Sequence, residues 1–334
     1  MIPVINQTKQ MPTWQDSLRS LVRDPLVLLQ RVGLADCPQR VAAAQASAAL
    51  FPVRTTDSYI ARMRVGDVDD PLLRQVLPLS DEGVAVVGFG TDPIGESGFM
   101  DTRGLLQKYE GRALILATGA CAINCRYCFR RHYPYGDNTL TDAALDAVVE
   151  QIQSQGLTEI ILSGGDPLML PTEKLQRLVA RCMADTQVTT VRIHTRLPVV
   201  LPSRLDAPFC TWWNALPLHK VMVIHANHAN EIDAEVTGAL RQLTGTQILN
   251  QAVLLRGVND SANALIELSR ASFAAGALPY YLHLLDPVAG AAHFDVGETE
   301  ARGLMAEMLA ALPGYLVPHL VRETAGAQSK TRIL

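Results

Sequence analysis

Short apolar runs alternate with segments of helical periodicity from residue 112 onwards. Continuous apolar runs are typical of parallel strands buried on both faces, and repeated strand–helix units indicate an α/β fold. The runs are 112–119, 159–165, 189–195, 220–226, 247–255 and 279–285. The helix-compatible segments between them include 141–153, 171–183, 231–243 and 261–276. This repeat predicts a six-stranded partial barrel, because only 316–323 remains as a further strand candidate and closure is not visible.

The first 105 residues lack this alternation. Apolar spacing at 16–34 and 37–53 predicts helices, with Asp16 as an N-cap, and an irregular stretch rich in Asp, Gly and Pro follows from about 66 to 104. We therefore expect three parts: a helical N-terminal region packed on the barrel, the barrel itself, and a C-terminal segment. Their bounds are 1–105, 106–315 and 316–334.

The composition excludes several classes of protein. A chain of 334 residues with 48% hydrophobic residues has enough apolar surface for a large core and is not intrinsically disordered. The longest uncharged run, 271–285, is 15 residues long, whereas roughly 18–20 are needed to cross a bilayer. The N-terminus lacks the apolar core of a signal peptide, and a net charge of −4 argues against a general nucleic-acid binder. We expect a cytoplasmic globular protein without nucleic-acid or membrane partners.

Three of the six cysteines, Cys121, Cys125 and Cys128, lie within eight residues, directly after the first predicted strand. In barrels of this type, chemistry collects at the carboxyl ends of the strands. Three thiolates on one loop can hold a 4Fe-4S cluster and leave one iron open, since such clusters normally take four cysteines. A zinc site completed by His132 is an alternative, and a chance group of buried thiols is another. The remaining cysteines, Cys37, Cys182 and Cys210, are scattered and predicted to be inert.

A glycine pair follows the second predicted strand, at Gly164 and Gly165, and Asp166 comes next. Such a turn exposes backbone amide and carbonyl groups, and the acid can hold an ammonium group. Alone, the segment is typical of an ordinary turn. Its place one strand beyond the cysteine loop favours a ligand-binding role.

The spacing of the cysteines, with an aromatic residue before the last, resembles that of the radical S-adenosylmethionine (SAM) enzymes. Nearly all of 55–334 resembles the lysine 2,3-aminomutase family within them, and is most similar to the short bacterial members that act in elongation factor P modification. The matching strings lie at 69–78, 125–135, 163–168, 192–202, 227–232, 250–260, 280–294 and 329–331. The resemblance implies a radical SAM partial (β/α)6 barrel. It also implies an isomerase that converts (S)-α-lysine to (R)-β-lysine.

The resemblance further implies three cofactors: a 4Fe-4S cluster, SAM and pyridoxal phosphate (PLP). The cluster would be held by Cys121, Cys125 and Cys128, and SAM by Gly164, Gly165, Asp166, His225 and Gln251. PLP would bind covalently to Lys330, in a loop that has Ala-Gln-Ser where many relatives have glycines and Arg332 where they often have Pro. Residues that could face the PLP phosphate are Lys108, Tyr109 and Arg112, with Arg131 and His132 either there or capping the loop.

Substrate contacts are implied in the same way. Arg130 matches the family's carboxylate-binding arginine, and Asp286 and Glu323 match its two ammonium-binding acids. Free-lysine mutases generally have Asp at the second of these positions, so Glu323 is one methylene longer.

The implied partners are lysine, a reductase or flavodoxin-type electron donor, and elongation factor P with its lysyl-attaching ligase. Whether lysine reacts free or already attached to a protein stays open. Two other interpretations also stay open: an aminomutase for arginine or glutamate, and a non-enzymatic metal-stabilised module that binds through the basic 125–132 loop.

Overall fold

The computed structural model describes residues 13–99, 102–327 and 329–334. Its centre is one nine-stranded sheet whose strands follow each other in chain order. Strands β2 to β8 are parallel, whereas β1 and β9 pair antiparallel at the two ends. The strands are β1 Leu105–Tyr109, β2 Arg112–Thr118, β3 Glu159–Gly164, β4 Thr190–Thr195, β5 His219–Ile224, β6 Thr246–Val253, β7 Leu278–His283, β8 His319–Arg322 and β9 Thr331–Arg332.

Helices return the chain between successive parallel strands, as a parallel sheet requires. The helices are α1 Trp14–Arg19, α2 Pro25–Arg31, α3 Pro38–Ala48, α4 Asp57–Ile60, α5 Pro71–Arg74, α6 Tyr135–Asn138, α7 Leu145–Ser154, α8 Thr172–Met183, α9 Leu197–Val200, α10 Ala207–Ala215, α11 Ala234–Leu240, α12 Ala262–Ala274 and α13 Glu298–Ala311. The α/β fold class predicted for the chain is confirmed, and all six predicted strands are present.

The sheet is larger than predicted at both ends. β8 adds a seventh parallel strand, with Tyr281 opposite His319 and His283 opposite Val321. β1 precedes the first predicted strand and pairs with it antiparallel. The C-terminal segment 316–334 therefore contributes β8 and β9 to the sheet, and the division of the chain into three parts stays a prediction.

The strands present polar side chains to the interior of the partial barrel. In β4, Val191 and Ile193 are fully buried in the hydrophobic core, whereas Arg192 and His194 line a cavity. Because side chains alternate along a strand, this places the apolar set against the helices and the polar set inside. The inside of the barrel is therefore a polar site rather than a packed core.

The N-terminal region is helical, as predicted, but its first segment is two helices rather than one. Thr13, not Asp16, is the N-cap of α1. Asp16 is the third residue of the helix and forms a capping box with Thr13. The second helix, α2, begins at Pro25. This region packs on the barrel through tertiary hydrogen bonds, including one of 3.1 Å from the Trp14 indole to Asp206. Among the described residues, no helix combines the length and apolar character that crossing a membrane requires.

Candidate active site

The carboxyl ends of the parallel strands surround one cavity of about 640 Å³. Strands β1 to β7 and residues after β8 contribute to its wall. All twelve of the predicted site residues line it: Cys121, Cys125, Cys128, Arg130, Gly164, Gly165, Asp166, His225, Gln251, Asp286, Glu323 and Lys330. The structure thus brings together residues from both ends of the periodic part of the chain.

The cysteine loop leaves β2 with three free thiols. Its backbone is fixed from outside: Arg54 donates to the carbonyl of Cys121 over 2.9 Å, and the amide of Asn124 donates to the carbonyl of Arg54 over 2.9 Å. Burial raises the pKa of the Cys128 thiol to about 12 and that of Cys121 well above its usual value. A thiolate therefore needs a cation beside it here, and an iron–sulfur cluster supplies one.

The zinc alternative has no support from this geometry. The ring of His132 lies 3.2 Å from the carbonyl oxygen of Ala289 rather than beside the thiols. Within the described parts of the chain, no three His, Cys, Asp or Glu side chains are placed to hold a single metal ion.

A buried charge cluster supports the outer side of the loop. The guanidinium of Arg126, fully buried, pairs with Glu82 and donates to the carbonyl of Phe51 over 2.6 Å. Arg131 binds the same Glu82 over 2.8 Å and donates to the carbonyl of Gly290 over 3.0 Å. Of the two roles considered for Arg131, the structure therefore favours supporting the loop over facing a phosphate.

The glycine pair packs directly on the cysteine loop. A Cβ atom at Gly165 would lie 2.5 Å from the carbonyl oxygen of Ala120, and Gly164 has a φ of +117° that side chains rarely adopt. The amide of Gly165 donates to the carbonyl of Thr118 over 2.7 Å. Glycine is required at both positions because the two loops touch through their backbones.

Asp166 ties the glycine turn to the end of β4. Its carboxylate accepts from the hydroxyl of Thr195 (2.7 Å) and from the amides of Arg196 (2.7 Å), Leu197 (3.0 Å) and Leu168 (3.0 Å). Burial outweighs these bonds and raises the pKa to about 6. A carboxylate has roughly four acceptor sites, so an ammonium group would have to share one that is already occupied.

Arg196, which the sequence did not single out, connects the cysteine loop to the centre of the barrel. It donates to the sulfur of Cys125 over 2.7 Å and to the hydroxyl of Tyr127 over 2.6 Å. Its other terminal nitrogen contacts Glu231 (2.9 Å) and Gln75 (2.7 Å). All four partners lie far from Arg196 in sequence, and no local pattern signals the contacts.

His225 is part of the same network. Its Nε2 atom lies 2.8 Å from the Tyr127 hydroxyl, and the two rings are 5.7 Å apart. Burial, together with the charge of Arg196, lowers the pKa of His225 to about 3. The imidazole is therefore neutral at physiological pH.

Lys330 lies beside two acidic groups. Glu323 forms ion pairs with Lys330 and, over 3.1 Å, with Lys108. Burial would raise the pKa of Glu323, but the two lysines lower it overall. For Asp286, burial and the negative charge of Glu323 raise the pKa to about 7. The two acids thus share one electrostatic environment, with the lysines as their counter-charges.

Arg130 already binds an acid and a backbone carbonyl of the protein. Its Nε and Nη2 atoms bind the two carboxylate oxygens of Glu96 over 2.7 and 2.6 Å, and Nη1 donates to the carbonyl of Gly164 over 3.1 Å. Glu96, which sequence reasoning missed, lies in the irregular stretch before β1, where periodicity gives no signal.

Several buried polar atoms in the cavity wall have no partner in the part of the chain that the structure describes: Nε2 of His194, Oε1 of Gln251, Nε2 of His283 and Oδ1 of Asp286. Burial and the charge of Arg192 lower the pKa of His194 to about 3. Because buried polar groups are normally hydrogen-bonded, these atoms indicate a polar ligand in the cavity. These atoms and the cavity of about 640 Å³ fit cofactors larger than a single ion.

Comparison with known proteins assigns the family. The model of the Radical SAM superfamily matches residues 115–207, which include the cysteine loop and the glycine turn. The chain is 45% identical to the L-lysine 2,3-aminomutase of Escherichia coli strain K12, over 95% of this chain and 93% of that protein. The chain belongs to the lysine 2,3-aminomutase family. The predicted radical SAM identity is thereby confirmed, and this family implies a 4Fe-4S cluster and SAM.

Further relatives agree. The L-lysine 2,3-aminomutase of Haemophilus influenzae is 41% identical, over 98% of this chain and 97% of that protein. That of Clostridium subterminale is 30% identical, over 93% and 73% respectively. A solved radical SAM methyltransferase from Sphaerobacter thermophilus shares 18% identity over 67% of this chain and 69% of that one, with a TM-score of 0.48. The last likeness adds nothing to the family assignment.

Proposed function

We propose that the protein is a lysine 2,3-aminomutase that converts (S)-α-lysine to (R)-β-lysine. The observation that carries the proposal is the shared cavity. Three free thiols, a lysine flanked by two acids, and an arginine for a carboxylate all line it. A free α,ω-diamino acid needs this combination of charges, with a cation for its carboxylate and anions for its distal ammonium.

The cofactor roles follow from the residues present. When bound, the cluster and SAM would supply the chemistry of hydrogen abstraction by a carbon radical, and PLP would supply a conjugated ring that can stabilise a radical. Cys121, Cys125 and Cys128 would hold the cluster. Gly164, Gly165, Asp166, His225 and Gln251 would contact SAM, and within the described residues the amide oxygen of Gln251 has no other partner. The neutral ring of His225 can donate or accept there.

Lys330 would carry PLP. Its amine must lose a proton before it can bond to an aldehyde carbon, and the ion pair with Glu323 holds the amine in the cavity. Lys108, Tyr109 and Arg112 line the same cavity and would face the phosphate. Lys108 bonds to Glu323 in the structure, so it can balance either that acid or a phosphate.

The charges in the cavity explain why the side chain of the substrate should end in an ammonium group. When Lys330 no longer carries a charge, Asp286 and Glu323 lose one of the two lysines, Lys330 and Lys108, whose charges offset theirs. The ammonium of a bound lysine restores the missing charge, whereas the carboxylate of glutamate would add a third negative group. Arg130 would orient the carboxylate of the substrate.

The physiological setting rests on the resemblance to the short bacterial members of the family. We infer a cytoplasmic enzyme that takes electrons from a reductase or flavodoxin-type donor. Its product would be attached to elongation factor P by the lysyl-attaching ligase.

An anaerobic assay tests the proposal. Reconstituted protein is incubated with lysine, SAM, PLP and a reductant, and the amino acids are separated by chiral chromatography. We expect (R)-β-lysine, and none from a Cys128→Ala variant. Rearrangement of arginine or glutamate in preference to lysine, or no product from fully loaded protein, would overturn the assignment.

A further inference from the structure

The guanidinium of Arg130 already holds a carboxylate. Glu96 binds it through two parallel hydrogen bonds of 2.7 and 2.6 Å, the geometry in which an arginine binds the carboxylate of a ligand. Both side chains are largely buried, with 6% and 14% exposed, so water screens the pair only weakly. Glu96 therefore lies where the substrate carboxylate is proposed to bind.

Counting hydrogen-bond donors shows that both carboxylates cannot bind in the same way. An arginine has five N–H donors. Glu96 takes two of those of Arg130, while Gly164 (3.1 Å) and Ser163 (3.4 Å) take the two on Nη1. One donor on Nη2 remains, and a bidentate ligand needs two. A substrate carboxylate would also lie against the negative charge of Glu96.

The N–H groups of a guanidinium lie in its plane, so a carboxylate binds it along an edge. Glu96 occupies the edge formed by Nε and Nη2. Two aromatic rings lie near the guanidinium, with Cζ 4.9 Å from the ring centre of Phe129 and 5.8 Å from that of Tyr133.

Glu96 reaches Arg130 from a short helical segment rather than from a strand of the sheet. It begins a short 3₁₀ helix, Glu96–Phe99, directly after Gly95, whose φ is +67°. A Cβ at Gly95 would lie 3.4 Å from the Cβ of Ala325, in the loop that leads to Lys330. Within the described residues, the backbone of this segment is held by a bond of 3.1 Å from the Glu96 amide to Asp92 and one of 3.4 Å from the Gly98 amide to the Gly95 carbonyl.

We propose that Glu96 is a specificity-determining residue, an internal carboxylate on Arg130 that only a ligand with a free carboxylate displaces. This rests on the proposed function and assigns to Glu96 the discrimination between a free carboxylate and an uncharged carboxyl derivative at Arg130. Lysine attached to a protein through its carboxyl group has no charge there and cannot compete for Arg130.

The test is lysine binding to the enzyme loaded with cluster, SAM and PLP, without reductant so that no turnover occurs. Glu96→Gln keeps the shape but loses the charge, and its amide presents a donor to the donors of Arg130. Lysinamide, which lacks the free carboxylate, is the ligand control. Glu300→Gln is the protein control, since Glu300 forms the same two-pronged pair with Arg256, at 2.7 and 2.7 Å, but at the exposed surface.

We expect Glu96→Gln to bind lysine about tenfold more tightly than wild type, because the internal charge-assisted bonds no longer compete. Lysinamide should bind equally to both, and Glu300→Gln should match wild type. In turnover, KM for lysine should fall without a rise in kcat. If Glu96→Gln loses its cofactors, Glu96→Ala serves in its place.

The outcomes separate the two proposals. Weaker or unchanged lysine binding in the variant means that Glu96 only supports Arg130, and overturns this inference alone. A wild-type enzyme that binds no lysine at all overturns the proposed function and this inference with it.

Discussion

Arg196 donates a hydrogen bond of 2.7 Å to the sulfur of Cys125, although the two residues are 71 positions apart in the chain. The same guanidinium binds Glu231, which is fully buried, and both Tyr127 and Gln75. One side chain at the end of β4 thus links the proposed cluster loop to the loop after β5 and to the N-terminal region.

Replacing Arg196 by lysine should therefore reduce the iron and sulfide content of the reconstituted protein. Lysine keeps the charge but is a single point donor, and it cannot reach Cys125 and Glu231 together. Leaving Glu231 buried and poorly paired should also lower the free energy of unfolding by about 3 kcal/mol or more.

Iron and sulfide analysis, with urea unfolding, would measure both effects. Arg256→Lys is the matched control, because that arginine forms an exposed pair. If Arg196→Lys keeps a full cluster and normal stability, the bond to Cys125 has no structural importance.

The cluster should depend on Cys121, Cys125 and Cys128 alone. Alanine at any of the three should abolish the iron–sulfur absorbance, since each supplies one ligand. Cys182 is fully buried on α8, where burial raises the pKa of its thiol to about 12, so it is neither accessible nor ionised. Cys182→Ala should keep iron and sulfide at the wild-type level. A folded Cys182→Ala protein without a cluster would contradict this ligand set.

The strands could be predicted because each buried parallel strand is a continuous run of apolar residues, which is visible in the local sequence. The prediction for β4, 189–195, differs from the structure by one residue. The segment 316–323 is a strand candidate in the sequence, but its place in the sheet as β8 depends on pairing with β7 and β9, which no local pattern indicates. The apolar spacing of 16–34 predicts helix without showing that Pro25 starts a second one.

Some residues of the proposed site could likewise be predicted from local sequence, and others could not. Cys121 to Cys128 and the glycine pair are local motifs at strand ends, so the sequence identified them. The contacts of Arg196 with Glu231 and of Arg130 with Glu96 join residues 35 and 34 positions apart. Such pairs follow no periodicity in the sequence, because they depend on which loops the sheet brings together in space. The sequence also does not show that the carboxylate of Asp166 already accepts four hydrogen bonds from the protein itself.

Lys330 should be the residue that binds PLP covalently. Borohydride reduction followed by peptide mapping should label Lys330 in the wild type and no residue in Lys330→Ala. The cluster should survive that substitution, because its ligands lie on a different loop. Lys174, exposed on α8, gives a control substitution that should change nothing. Labelling of another lysine would refute the assignment.

The ionisation of Asp286 should set the pH dependence of lysine binding. Burial and Glu323 raise its pKa to about 7, so below that pH the free protein holds a proton on this carboxyl. Loss of the Lys330 charge on PLP binding raises the pKa further, since Lys330 is one of the groups that lower it. A lysine ammonium pairs with the ionised form, and the proton must leave first. Lysine affinity should therefore fall by up to about tenfold for each pH unit below 7.

Asp286→Asn removes this ionisable group and is the variant that tests it. At pH 8 it should bind lysine about thirty-fold or more weakly, because losing one partner of a buried charge pair typically costs roughly 2–5 kcal/mol. Its affinity should change less with pH than that of the wild type. The ratio of the wild-type and Asp286→Asn dissociation constants reports the ionisation of Asp286 alone, since the ionisation of lysine itself is common to both.

Glu323→Asp should weaken lysine binding less than Asp286→Asn, because the charge stays and only the reach shortens. Arg130→Ala should weaken lysine binding at every pH. Asp295→Asn, at an exposed position, should behave as wild type. Dissociation constants at pH 6, 7 and 8, with glutamate as a competing ligand, give the measurement. A ratio that does not vary with pH, or tighter binding of glutamate than of lysine, would rule out Asp286 as the partner of the substrate ammonium.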